Sequence, residues 1–176
     1  MSANVKHLTS IVVLNYNAGD LLLNCIESVY KTQTHKFEVI VVDNISTDSS
    51  HKKCKEKFPQ IRLIENKENL GYCEGNNVGI RNANGEFIVI LNPDTKVESN
   101  WLEELFNAYE KFGDGLYQPK IIAFEDNLFE SGGNMLQMFG FGYSKGRGMP
   151  DLGQFDESGE IGYASGACLF TKTNIL

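Results

Sequence analysis

Residues 11–43 read IVVLNYNAGDLLLNCIESVYKTQTHKFEVIVVD, and their pattern decides the fold class. The stretch opens on IVVL at Ile11 to Leu14 and closes on VIVV at Val39 to Val42. Both runs are continuous and rich in β-branched residues, which marks strands covered on both faces rather than one. Between them, Leu22, Ile26, Val29 and Tyr30 share one helical stripe, and Asp20 stands where it could cap the helix. The unit is βαβ.

The alternation continues downstream. A polar helix is expected around Ser49 to Phe58, a short strand over Ile61 to Ile64, a helix around Glu74 to Ala83 and a strand over Glu86 to Leu91. Asn100 and Glu103 have capping-box spacing for a helix through Trp101, Leu102, Leu105, Phe106 and Tyr109, stopped by Gly113 and Gly115. The run at Lys120 to Ile122 suggests a further strand, and Ile161 to Phe170 a late buried one. Glycines at 132, 133, 140, 142, 146 and 148 favour turns, bends or a mobile loop in between. The expected architecture is α/β, a mostly parallel central sheet flanked by helices.

Composition bounds the function. With 176 residues the chain suits one domain, and two full enzyme domains will not fit. Sixteen Lys plus Arg against 23 Asp plus Glu give a formal charge of -7, so no general positive field draws nucleic acid. Cys25, Cys54, Cys73 and Cys168 form no CxxC pair, which argues against a zinc knuckle or disulfide framework and suits a reducing, cytoplasmic setting. The N-terminal MSANVKHLTS lacks the apolar stretch of a secretory leader, and no run approaches the roughly 20 apolar residues of a membrane span. Any anchor is expected beyond Leu176.

In an open parallel sheet, ligands collect beyond the carboxyl ends of the strands. Three strands deliver polar residues there: Asn15, Tyr16 and Asn17; Asp43 and Asn44; and Asn92, Pro93 and Asp94. Any one of these loops could simply be a turn. Together they suit a nucleotide, with Tyr16 stacking on a base, Asp43 accepting from a base imide or ribose hydroxyl, and Asp94 coordinating a hard divalent cation. The dinucleotide alternative lacks GxGxxG after the first strand, and there is no GxxxxGK[ST] phosphate loop. Ser165 in YASGA lacks a nucleophile elbow. His7, His35 and His51 fall away from the inferred edge and are expected at the surface.

The segments IVVLNYN (11–17), VIVVDNISTDSS (39–50), ENLGYCEGNNVGIRNANGEFIVILNPDT (68–95) and YASGACLFTK (163–172) resemble, in order and over nearly the whole chain, a family 2 glycosyltransferase of the rhamnosyltransferase-like branch. That resemblance implies a GT-A (nucleotide-diphospho-sugar transferase) fold. It also implies an inverting, metal-dependent transfer of sugar from a nucleoside diphosphate sugar to a saccharide or glycolipid acceptor, in polysaccharide or cell-surface glycan synthesis. Rhamnose is the sugar the branch suggests, and the location implied is cytoplasmic or peripheral at the inner face of a membrane.

By the same resemblance, Leu14, Tyr16, Asp43, Gly71, Asn77, Asn92 and Asp94 border the nucleotide, with Asp94 holding Mg or Mn. Asn69 and Asn76 lie in the same segment as Gly71 and Asn77, where turn and helix-capping roles are equally open; Asn77 is favoured over Asn76. Asn92 replaces the first carboxylate of a DxD-type motif, and that substitution alone does not imply inactivity. Asp48 matches an acidic position of the family, but the N-cap reading is favoured because capping follows directly from TDSS. Gly166 and Ala167 match a tight segment beneath the sugar or acceptor pocket, or one required by core packing.

The family's base is expected shortly after the GAC-like motif, so no catalytic residue is assigned. Asp151, Asp156, Glu157 and Glu160 precede that motif. The chain is therefore expected to be one C-terminally truncated domain, with a nucleotide-binding part over 1–112 and an incomplete acceptor-side part over 113–176. A noncatalytic nucleotide-sugar binding module is the alternative. A related nucleotidyltransferase should carry a Gly-rich, basic phosphate loop that IVVLNYNAGD lacks.

Overall fold

The computed structural model describes residues 7–32 and 35–176; residues 1–6, part of the segment read for a leader, and 33–34 lie outside the described residues. The first βαβ unit forms as expected: β1 (Leu8–Asn15), α1 (Asp20–Val29) and β2 (Lys36–Asp43). Then follow α2 (Ser50–Lys57), β3 (Arg62–Glu65), α3 (Gly71–Arg81), β4 (Phe87–Leu91) and α4 (Trp101–Phe112). Two small hairpins, β5 (Ile121–Ile122) with β6 (Phe129–Ser131) and β7 (Asn134–Leu136) with β8 (Gly142–Ser144), occupy the glycine-rich region. The chain returns through β9 (Cys168–Lys172).

The main sheet has the order β3-β2-β1-β4-β9. Its first four strands are parallel and β9 runs antiparallel beside β4. Because β2 lies on one side of β1 and β4 on the other, chain direction diverges at β1, which is where an open α/β sheet leaves a crevice. The register sets Asn15 opposite Asp43 and Asp43 opposite Glu65, so three polar side chains end neighbouring strands in a row.

The two faces of the sheet are unequal. On one, α1, α2 and α4 cover a large core that includes Ile11, Val13, Leu22, Ile26, Val41, Cys54, Leu102 and Phe106. Phe87 stacks on Phe170 with ring centroids 5.3 Å apart, which joins β4 to β9 through their side chains as well as their ladder. On the other face α3 lies against Val12, Ile40 and Val42. Gly75 permits that approach, because a Cβ there would lie 2.5 Å from the Leu14 side chain and 3.0 Å from Asn44 Nδ2.

Several local expectations change. Gly19, not Asp20, is the N-cap of α1, and Asp20 is already in the first turn. Asn100 does cap α4 by position, but no side-chain capping bond forms. Asn100 Nδ2 instead reaches Glu104 Oε1 at 3.4 Å, leaving Glu103 outside any capping box. The late strand sits farther along than Ile161 to Phe170, because its pairing partner is β4 and that register runs Leu91 to Phe87 against Cys168 to Lys172. His51 is not at the surface: it is 4% exposed, enclosed between Asp43 and Glu65.

Candidate functional site

A cleft of about 320 Å³ opens at the carboxyl ends of β1, β2 and β4, lined by Leu14, Tyr16, Asn44, Asn69, Gly71, Tyr72, Asn92, Pro93 and Asp94. Of the residues expected at a nucleotide site, Leu14, Tyr16, Gly71, Asn92 and Asp94 meet here. Asp43 and Asn77 do not line it. Asp43 is 2% exposed and both of its oxygens are engaged, Oδ1 by Asn15 Nδ2 at 2.7 Å and Oδ2 by the Ser46 N–H at 2.8 Å. Asn77 is on the outer side of α3, where its Nδ2 donates to Glu74 Oε2 at 3.2 Å.

Of the other lining residues, Asn44 was placed at the ligand-bearing edge from sequence but given no role, and Tyr72 was not singled out. Asn44 donates from Nδ2 to Gly71 O at 3.0 Å and Asn69 Oδ1 at 3.2 Å, and accepts at Oδ1 from Asn66 Nδ2 at 2.7 Å. This amide ring ties the end of β2 to the start of α3. The Asn69 Oδ1 atom also accepts the Gly71 N–H at 2.9 Å, which engages the first N–H of α3. Tyr72 reaches Gly166 and Asn92 through its hydroxyl.

The signal for Asn44 was present in the period-two pattern of β2. Leu14 pairs with Val42 and Asn15 with Asp43, so a cleft that includes Leu14 excludes the Asn15–Asp43 pair and admits the next residue. Nothing local marks Tyr72, because its partner Gly166 is 94 residues away.

Asp48 is not the N-cap of α2, which is Ser49, but stands one residue before it and still binds helix-start N–H groups. Its Oδ1 accepts the Ser50 N–H at 2.9 Å and its Oδ2 the Gly19 N–H at 2.8 Å, so one carboxylate serves the starts of both α2 and α1. Burial acts to raise its pKa, but the hydrogen bonds from Ser50 and Gly19, with His51 nearby, hold the carboxyl below its ordinary range. The carboxylates considered before the GAC-like motif stand apart from the cleft. Asp151 and Asp156 bind Lys120 Nζ at 2.7 Å and 2.5 Å, and Glu157 and Glu160 do not line it.

Electrostatically the cleft is unusual for an anion site. Asp94 is the one charged side chain among its lining residues, and no lysine, arginine or histidine stands with it. Among the described residues there is no group of three metal-ligating side chains. A single exposed carboxylate nonetheless fits a hard cation whose other ligands come from phosphate and water. The donor chemistry matches Mg or Mn better than zinc, since no cysteine or histidine is among the lining residues and their polar side chains carry oxygen atoms.

An open α/β sheet with a polar crevice at its switch point defines the class of fold that takes a ligand beyond the carboxyl ends of its strands. Residues 10–176 match the family model described as glycosyl transferase family 2, and the chain belongs to that family. Glycosyltransferase GlyG of Streptococcus pneumoniae serotype 4 is 34% identical over 134 residues, spanning 74% of this chain and 43% of GlyG.

Among solved structures, the mannosyltransferase PcManGT from Pyrobaculum calidifontis, in complex with GDP-Man and Mn2+, superposes with a TM-score of 0.60. It is 24% identical, over 68% of this chain and 37% of PcManGT. Staphylococcus aureus TarS 1-349 in complex with UDP-GlcNAc gives a TM-score of 0.57 at 22% identity, over 62% of this chain and 33% of TarS. The fold is the GT-A type. The chain spans less than half the length of each of these proteins.

Proposed function

We propose that this chain supplies the donor site of an inverting glycosyltransferase that moves sugar from a nucleoside diphosphate sugar to a saccharide or glycolipid acceptor in polysaccharide or cell-surface glycan synthesis. The observation that carries the reading is the charge of the cleft. Its one charged lining group is Asp94, so a diphosphate placed there meets a carboxylate and no protein cation. A divalent ion between the two removes that repulsion.

In this reading Leu14 and the Tyr16 ring border the base, and the amides of Asn44 and Asn69 face its polar edge. Gly71 brings the start of α3 toward the phosphates, and Asp94 holds Mg or Mn, with Asn92 beside it. When bound, the ion stabilises charge on the departing diphosphate. The acceptor oxygen bonds to the anomeric carbon as the carbon–oxygen bond to the diphosphate breaks, and the hydroxyl proton passes to a carboxylate base. Asp43 supports this site from beneath through the Ser46 loop, and Asn77 contributes to the outer surface of α3.

The nucleotide-binding part corresponds to residues 1–112 and the acceptor-side part to 113–176. Among the described residues no helix is long and apolar enough to cross a membrane. The nucleotide sugars and Mn2+ in the PcManGT and TarS complexes support the donor class and the metal.

Calorimetric titration of UDP and of GDP, each with and without Mn2+ or Mg2+, tests the proposal. Binding of one nucleotide strengthened at least tenfold by metal is expected. Binding indifferent to metal, or absent for both nucleotides, would defeat it.

A further inference from the structure

The Tyr72 hydroxyl lies 2.7 Å from the Gly166 carbonyl oxygen and 3.2 Å from the atom placed as Asn92 Oδ1. A phenol has one proton, and a backbone carbonyl can only accept. The shorter contact therefore takes the proton, and the hydroxyl turns its lone pairs toward Asn92. An amide oxygen facing those lone pairs would be repelled, whereas the amide nitrogen can donate to them. The two ends of an amide exchange by a half-turn, and the hydrogen-bond network decides which is present. The half-turn that satisfies this network puts Asn92 Nδ2 at Tyr72 in place of Oδ1 and turns the amide oxygen away from the hydroxyl, in a residue that lines the cleft with Asp94.

We infer that Tyr72 is a positioning residue, whose hydroxyl fixes the Asn92 amide so that an oxygen, not an N–H, faces the cation and nucleotide beside Asp94. This restores acceptor character at the position where Asn92 stands in place of a carboxylate, without adding charge. Gly166 is part of the same device, because a Cβ there would collide with the Tyr72 hydroxyl. Burial foremost, with Cys73 and Asp94 adding to it against a contact from Asn76, pushes the Tyr72 phenol above its ordinary value. The single proton on which the geometry depends is therefore retained at neutral pH.

The inference rests on the donor-site reading and is tested by a double-mutant cycle on the whole chain, using UDP and GDP with Mn2+. Tyr72→Phe should weaken metal-dependent nucleotide affinity by about five- to tenfold, the scale of one lost polar contact to a charged ligand. In an Asn92→Ala background the same substitution should change it by less than about twofold, since there is no amide left to orient. A merely structural tyrosine would give its full factor in both backgrounds, and that result overturns the inference, as does an unchanged Tyr72→Phe.

Absence of metal-promoted binding in the unsubstituted chain overturns the donor-site reading itself, which separates the two failures. A second readout needs no folded variant: in the unsubstituted protein the Asn92 side-chain NH2 protons should exchange slowly with solvent by NMR, and fast exchange of both counts against the inference.

Discussion

His51 Nδ1 lies 3.3 Å from Asp43 Oδ1, and both side chains are almost wholly enclosed, at 5% and 3% exposure. The ring nitrogen is not aligned for a hydrogen bond. Asp43 is anchored instead by Asn15 and the Ser46 N–H, while His51 Nε2 faces Glu65 at 3.3 Å on the next strand end. The row Asn15, Asp43, Glu65 created by the parallel register is therefore closed from above by a helix residue. It braces the floor of the cleft without lining it.

Asp43→Ala should be costly to the fold. It leaves the Ser46 N–H without its acceptor, removes the shortest of the three acceptors around the buried Asn15 Nδ2 and takes away one of the two carboxylates beside His51. A loss of about 2–4 kcal/mol is expected in urea unfolding. A loss below about 0.5 kcal/mol would show that the network is dispensable.

Asp94→Asn should act on the ligand rather than the fold. Asp94 is exposed, and its carboxylate is the cleft's one charge. Thermal unfolding should move by no more than a few degrees, while the gain in nucleotide affinity on adding Mn2+ falls at least about tenfold. Retention of the metal effect would remove Asp94 as the main ligand.

Asp48 gives a pH dependence of defined sign. Its folded pKa is depressed by the Ser50 and Gly19 hydrogen bonds acting against burial, so its stabilising effect is present above its unfolded pKa. That effect fades as pH falls through the lower, folded value. The stability advantage of the unsubstituted chain over Asp48→Asn should be full near neutrality and shrink on acidification below the ordinary carboxylate range, followed by denaturant titration at successive pH values. An advantage that grew on acidification would contradict the capping geometry.

The thiols should divide sharply. Burial pushes Cys25 and Cys168 up to about 12 and Cys54 up to about 11, whereas Cys73 is exposed on α3. Near pH 8 a thiol reagent should label one cysteine of the native chain quickly and the other three only on unfolding. Peptide mapping that found Cys25 or Cys168 labelled first would contradict the packing.

The layered sheet was legible because its central strands are continuous apolar runs, and a run such as IVVL or VIVV has few other ways to bury itself. The cleft was legible as a set of loops, because parallel strands all deliver their carboxyl ends to one edge. Which side chain at each end enters it was harder to read. Asp43 and Asn44 are adjacent, equally polar and equally suited to hydrogen bonding, yet Asp43 meets α2 and Asn44 meets α3. A step of one residue reverses the face, so the assignment follows the pairing register rather than residue type.

Sequence alone thus determined the class of fold and the edge at which the cleft opens, with Asp94 delivered to it. Each is encoded in local runs and in the order of a few motifs. Tertiary structure alone decided that Asp43 is a brace, that His51 is buried over it and that Tyr72 meets Asn92 and Gly166. Tyr72 lies 20 residues from Asn92 and 94 from Gly166, and such separations close only when helices settle on the two faces of the sheet.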